Sequence, residues 1–451
     1  MPTAQKENVR IAACAGFSGD RIEPAAYVLE HGNVGYGVFE CLAERTIALA
    51  QRDKRNGGKG FDPLLRRRME KVLPICKKKN VKIITNMGAA SPVAAAHEVR
   101  AIAEQHGITD ISITAVVGDD IFGTIGDQSI DHYSNAPLME DQDPDTPVAK
   151  LKDLKNIVSA NAYLGAEGIV SALRQGADVV ITGRVADPSL FLAPLMFELG
   201  WRADDYQMLG KGLVVGHLLE CGAQVTGGYF DSCTQWTKVP GIWDVGFPIA
   251  DVKVDGTAVI TKAEGTGGMV TRATCTEQLL YEIHNPAAYI TPDAVADFSK
   301  VNFTEIGPNR VLVEGATANE RTDTLKVSVG YIDCCIGEGE ISYVGFNAWD
   351  RARLASSIVQ GRLEGLPIIG YPKTDIIGTG GGRDPLSSVR LRIAARTETI
   401  DAARRVGEEV EALYTNGPAG GGGVRKYAEE TISIASILVP RKDVPVDYVH
   451  V

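Results

Sequence analysis

Residues 216 to 228 read GHLLECGAQVTGG, setting a histidine, a glutamate, a cysteine and a glutamine among four glycines. Preceded by LGKGLVV, the stretch reads as a helix of about three turns. His217 and Cys221 then stand at i and i+4 on one face, with Glu220 close to both. Three readings compete. As a metal site it is half complete, because two helical ligands need partners and no H-x-x-H or C-x-x-C supplies them. As a thiol nucleophile, Cys221 has His217 in reach as a base, but a cysteine inside a helix is usually inert. As structure, Gly216 and Gly222 each cost about 1 kcal/mol against alanine, which is tolerated where another backbone packs close. On that last reading the segment lies beside a site and lends His217 or Glu220 to it, and Cys221 is dispensable.

The elements that must position such a site alternate regularly. Apolar runs at 9–17, 36–42, 81–87, 110–118, 156–162 and 178–184 read as strands. Amphipathic helices lie between them, among them EPAAYVLEHG with its closing glycine and the Ser91-Pro92 start of a third. This predicts an α/β fold with a mainly parallel sheet and helices on both faces. From about residue 296 the pattern changes to DTLKVSVGY and EISYVGFNA as paired strands, a helix over DRARLASSIVQGRLEG, and a strand, helix, strand unit. The expected division is therefore an α/β domain over 1–295 that carries the site and a smaller α+β domain over 296–451. The acidic, proline-containing stretch between Asp119 and Lys155 is too long for an idle loop and is expected above a strand end as a lid.

Parallel sheets bind ligands beyond the carboxyl ends of their strands, where loops and helix N-termini converge. There the sequence places Asp20 and Arg21, Glu40 and Glu44, Asn86, Asp119 and Asp120, Asn161 and Tyr163, and Arg184 with Asp187. Each alone could be a helix cap. As a set they suit acid-base work on an oxygenated small molecule, arginine holding an anion and carboxylates with split pKa values moving protons. Further on, Lys262 precedes a glycine turn in which Thr266 could lend a donor to an anion.

Bulk properties narrow the classes. The net charge of −11 disfavours nucleic acid, whose binding needs clustered cations. No apolar run is long enough to span a membrane, and MPTAQKENVR lacks a signal-peptide core, so a cytoplasmic location is expected. The eight cysteines are scattered, and reduced thiols are the default. The basic run 52–79 contains NGGKG, which could meet the phosphates of a handle such as coenzyme A, although such runs are usually solvated helix faces. The runs GTGGGRDP and NGPAGGGGVRK fit no Walker or dinucleotide fingerprint, so no nucleotide cofactor is predicted.

With these residues in hand, the chain resembles the AtuA-like family, the acyclic terpene utilisation proteins. The resemblance rests on GFSGDR, CLAERT, VVGDD, ANAYLGA, GADVVITGRVADPS, GHLLECGAQVTGG, DGTAVITKAEGTGG and EQLLYEIHNPAAYITPD, which run in order through most of the first 300 residues. TNMGAASP stands where the family commonly has an alanine-glycine-glycine-asparagine sequence, which leaves open whether Asn86 alone does that motif's work. The resemblance implies catabolism of branched acyclic compounds, with a coenzyme A thioester admitted as part of the substrate, and sometimes a separate small partner subunit.

Together these give a lyase acting on a branched hydroxyacyl thioester or hydroxy acid by hydration, dehydration or C–C cleavage. Asp119, Asp120, Glu44, His217 and Glu220 are its candidate proton carriers. Asp20, Asn86, Asn161, Arg184, Asp187, Lys262 and Thr266 are its candidate substrate ligands, with no metal. The contrasting readings are a structural or substrate-binding subunit completed by a small partner, and a metal-assisted hydrolase. A homo-oligomer is expected.

Overall fold

The computed structural model describes residues 6–125, 131–139, 149–230, 239–379 and 388–451. Contacts divide the chain into two compact units, one of Met1–Asp153, Val158–Gly330 and Ile434–Val451, the other of Leu154–Ile157 and Tyr331–Ser433.

The strands of the first unit begin with β1 (Asn8–Ala15), β2 (Tyr36–Phe39), β3 (Lys82–Thr85), β4 (Ile113–Val117), β5 (Ile157–Ala162) and β6 (Val179–Thr182). They continue with β7 (Pro248–Lys253), β8 (Ala258–Lys262), β9 (Tyr289–Ile290), β10 (Val295–Asp297), β11 (Asn302–Gly307), β12 (Arg310–Glu314) and β13 (Thr317–Asn319). Its helices include α1 (Glu23–His31), α2 (Glu44–Arg55), α3 (Leu65–Lys79), α4 (Pro92–Gln105), α5 (Phe122–Ile125) and α6 (Asp131–Ser134). After them come α7 (Glu167–Arg174), α8 (Asp187–Leu199), α9 (Tyr206–Leu219) and α10 (Arg272–Leu280). Two strands at the far end of the chain, β14 (Thr324–Val344) and β17 (Gly421–Pro440), contribute residues to both units, and β18 (Asp447–His450) returns to the first.

The large sheet has ten strands in the order β11-β12-β8-β7-β1-β2-β3-β6-β4-β18. Only its central block, β1-β2-β3-β6-β4, is parallel. The expectation of a mainly parallel sheet is corrected on both flanks, where every further pairing is antiparallel. The connections explain two of these pairings. β7 and β8 are joined through Asp255-Gly256, with Gly256 at φ +80, and β11 and β12 through Asn309 at φ +54. Such tight links reverse the chain, whereas parallel strands need a crossover of a dozen residues or more. β11 and β12, beyond residue 296, thus complete the large sheet.

Helices do cover both faces. Ala12 and Cys14 of β1 share one apolar core with Ala25 and Leu29 of α1, Met69 and Val72 of α3 and Val99 of α4. On the other face α8 packs on β1 and β2, and α9 on β7 and β8. α8 and α9 approach closely because Gly216 has no side chain, and a Cβ there would lie 2.5 Å from the Pro188 carbonyl oxygen. The backbone-packing role expected of Gly216 is thereby met.

β5 leaves the large sheet and pairs with β14, while an isolated bridge between Asp120 and Asn161 keeps its end beside the end of β4. Part of the expected lid, 126–130 and 140–148, lies outside the described residues. The described part is tied down within the first unit, Met139 donating its amide to the Ser436 carbonyl and Tyr133 its hydroxyl to Asp443 at 2.7 Å.

β14 runs unbroken from Thr324 to Val344, through most of DTLKVSVGY and the start of EISYVGFNA, which the sequence suggested as two paired strands. It lies in the order β15-β16-β14-β17 with β15 (Ile368–Thr379) and β16 (Ser388–Thr397). α11 (Ala348–Leu363) and α12 (Ile400–Glu411), with the short α13 (Leu413–Asn416) after them, bury Val359, Val406 and Val410 against Ile341, Leu391 and Ile393. The alternate residues of the sheet carry ion pairs, such as Arg392 with Glu338 and Asp375. That is the half-buried pattern of an antiparallel sheet with one covered face.

Candidate active site

The strand ends converge on a cavity of about 590 Å³ in the first unit. It is lined by Gly16, Phe17 and Asp20 after β1, Glu40 and Glu44 after β2, and Arg184 and Asp187 after β6. His217, Glu220, Cys221 and Gln224 come from the end of α9, and Tyr281, Glu282 and Tyr289 from the chain after α10. Of the predicted residues, Asp20, Glu44, Arg184, Asp187, His217 and Glu220 are therefore brought together.

The others serve as supports. Asp119 is buried and accepts from Asn161 Nδ2 at 2.9 Å and from the Arg184 amide at 2.8 Å, so it fixes the turn that carries Arg184. Burial raises it to about 6 despite these donors. Asp120 accepts from Gln51 and from the Phe122 amide. Asn86 bonds the Cys41 amide through Oδ1 and donates to Glu40 through Nδ2. Lys262 and Thr266 close their own turn, Nζ donating to the Thr266 carbonyl at 2.6 Å and the Thr266 hydroxyl to the Ala263 carbonyl. They line no part of this cavity, and neither does any residue of the basic run 52–79. Within that run Arg68 is fully buried, donating to the Ser18 carbonyl at 2.8 Å and so bracing the GFSGD loop.

The cavity is acidic, with six carboxyl groups against the single guanidinium of Arg184. Arg184 is engaged through Nη1, while its buried Nε has no acceptor among the described residues. Its Nη1 reaches the Leu42 carbonyl and, at 2.9 Å, Asp187, and its guanidinium lies 4.1 Å from the centre of the Tyr163 ring. It lowers the proton affinity of the carboxyls beside it. Burial opposes ionisation of Glu44, but Arg184, the Tyr163 hydroxyl and Lys326 outweigh it and bring Glu44 down to about 2. Glu40 behaves oppositely. Burial lifts it to about 7, against the pull of the Leu42 amide and Asn86, both of which donate to Oε1. Two neighbouring carboxyls are thus driven apart in proton affinity, the pattern by which acid and base roles divide.

A second proton carrier faces them. His217 Nδ1 lies 2.8 Å from Glu220 Oε1, and Nε2 lies 3.2 Å from the Leu279 carbonyl oxygen. The carbonyl can only accept, so Nε2 carries a hydrogen. The other bond must then be imidazolium to carboxylate or imidazole to carboxylic acid, one proton shared between the two groups. Burial alone would lower His217, but Glu220 holds it above the ordinary range. The ring is fixed between Tyr289 and Phe298, with centroids at 5.3 and 6.0 Å.

Two buried acceptor oxygens of the cavity's lining residues, Glu220 Oε2 and Gln224 Oε1, have no donor among the described residues. Unmet buried acceptors cost about 1–3 kcal/mol each and favour a ligand that brings hydroxyl groups.

Cys221 falls beyond the end of α9, and its proximity to His217 does not make it a nucleophile. Burial and the nearby Glu220 push its thiol far up, away from the reactive thiolate. Among the described residues no group of three or more metal-ligating side chains stands together. Sequence reasoning left Glu40 out of its catalytic set and missed Tyr281, Glu282 and Tyr289. The available signal was the clustering of acids and tyrosines in EQLLYEIHNPAAY.

A family model described as the acyclic terpene utilisation family protein AtuA matches residues 9–450. The chain belongs to the AtuA family. Both units fall within the AtuA match, so the second is part of the family's common body. No curated protein and no solved structure matches the chain. Among the described residues no helix is long and apolar enough to cross a membrane.

Proposed function

We propose that this AtuA-family protein is a lyase that adds or removes water beside the carbonyl of a hydroxyacyl compound, with a thioester as the acyl form. The observation that carries the reading is the split pair, Glu40 near 7 and Glu44 near 2, facing the same cavity as the His217–Glu220 pair. A catalytic group with affinity near the working pH transfers protons best in both directions.

In dehydration the Glu40 carboxylate takes the proton from the carbon next to the carbonyl. The C–O bond of the 3-hydroxyl breaks as the His217–Glu220 pair supplies its shared proton, and the oxygen leaves as water. Glu40 is left protonated and the pair one proton short, and transfer between them restores the starting state. Hydration is the reverse. Tyr289, held protonated by burial and by the carboxyls around it, is the neutral donor for the carbonyl oxygen as charge develops there.

The charge of the cavity favours a neutral ester over a free carboxylate, which six carboxyl groups and one engaged arginine would repel. C–C cleavage of the same β-hydroxyacyl skeleton would draw on the same proton carriers. The test is conversion of 3-hydroxyacyl thioesters by the isolated full chain, followed by the absorbance of the conjugated enoyl product. Turnover supports the reading and removes the need for a completing subunit. Absence of any hydration, dehydration or cleavage product would overturn it.

A further inference from the structure

We propose that an apolar chamber adjoining the acidic cavity holds the hydrocarbon end of an amphiphilic substrate, with Tyr163, Asp187 and Tyr289 as the wall where head and tail meet. The proposal takes the polar head from the reading above and adds a second site. The chamber has a volume of about 330 Å³ and shares those three residues with the acidic cavity.

Its other walls include Met139, Ile290, Pro292, Leu325 and Leu438. Three of these are large apolar side chains left open to solvent, Met139 at 40%, Ile290 at 64% and Leu438 at 48%. Gathered in one concavity, they form an apolar surface that a ligand would cover.

Several polar groups of the wall are already engaged. The Thr291 hydroxyl donates to the Ala294 carbonyl and the Thr322 hydroxyl to the Thr324 carbonyl. Arg441 takes up the Pro292 and Thr322 carbonyls. The two charged residues are paired, Asp187 with Arg184 and Lys326 with Glu44. The rest of the lining is apolar, so the chamber offers recognition chiefly to hydrocarbon. At about 30 Å³ per non-hydrogen atom, the share of a liquid water, it has room for roughly ten carbons.

The test uses the full chain and a series of neutral probes, the N-acetylcysteamine thioesters of 3-hydroxy acids of increasing length, with binding measured by calorimetry. Each methylene buried is worth about 0.8 kcal/mol, a factor of about four in affinity. The dissociation constant should fall about fourfold per methylene until roughly ten carbons lie beyond the hydroxyl, and then level off. Leu438→Glu and Ile290→Glu, on different parts of the wall and at half-exposed or exposed positions, should each flatten the series while leaving the shortest probe within about twofold. A flat series in the unaltered protein, or an unchanged slope in both variants, overturns the proposal. Length-dependent binding without turnover would leave the chamber standing and remove the lyase reading. Turnover with no length dependence would do the reverse.

Discussion

Replacing Glu40 by glutamine separates activity from stability in a way that only a buried, proton-holding carboxyl predicts. The amide introduced by Glu40→Gln keeps an acceptor oxygen for the Leu42 amide and Asn86, so the fold loses no hydrogen bond. In the native protein the Glu40 carboxyl is lifted from the ordinary 4.5 to about 7 by burial. Below pH 4.5 both folded and unfolded chains hold the proton. As the pH rises, the unfolded chain releases it first, the folded chain binds the excess proton, and stability falls until the folded group has also titrated near 7. At about 1.36 kcal/mol per pH unit, the rise corresponds to about 3 kcal/mol. E40Q lacks this loss. Relative to the unaltered protein, its stability should therefore improve by about 3 kcal/mol between about pH 4 and pH 8, while kcat falls by about 10² to 10⁴. Urea unfolding followed through the fluorescence of buried Trp201 reads the first quantity, and enoyl formation the second. A stability difference that stays constant over that range, or that turns against E40Q at high pH, would show that Glu40 holds no proton in the folded protein.

Cys221→Ser should retain activity within about threefold, because burial holds the thiol far from ionisation; loss of all turnover in steady-state assays would restore the nucleophile reading. Asp119→Ala removes the shared acceptor of Asn161 and the Arg184 amide, leaving two buried donors at about 1–3 kcal/mol each. It should lower the unfolding midpoint and raise KM together, and an unchanged melting profile would place Asp119 outside the supporting network. Gly16→Ala would bring a Cβ to 2.3 Å from the Cys221 carbonyl carbon, so calorimetry should show a loss of about 1–3 kcal/mol, and a neutral outcome would show that the loop and the end of α9 can part.

Much of this fold is legible from local pattern. The apolar runs of β1, β2, β3 and β6 and the amphipathic helices between them stand close to where periodicity puts them, and the polar residues after those strands do converge. What local pattern does not carry is which way a strand pairs. PIADVK and AVITK read as buried strands of either kind, and only the tight Asp255-Gly256 link dictates that they pair antiparallel with each other. Nor does it carry which strand-end groups meet the cavity and which are taken up between elements. Asp119 and Glu40 are both acids one or two residues past a strand, and each accepts a backbone amide and an asparagine side chain, yet of the two only Glu40 lines the acidic cavity. That difference is set by the approach of distant segments, whereas the pairing of His217 with Glu220 is a local i,i+3 contact at the end of α9.

The most direct test of the lyase reading is hydration of a 2-enoyl thioester by the isolated chain in deuterium oxide, with the product examined by NMR. The expected product is a 3-hydroxyacyl thioester carrying deuterium at the carbon beside the carbonyl, formed at least about a hundredfold more slowly by E40Q. Deuterated product formed equally fast by E40Q would remove Glu40 from the chemistry, and no hydrated product at all would remove the lyase.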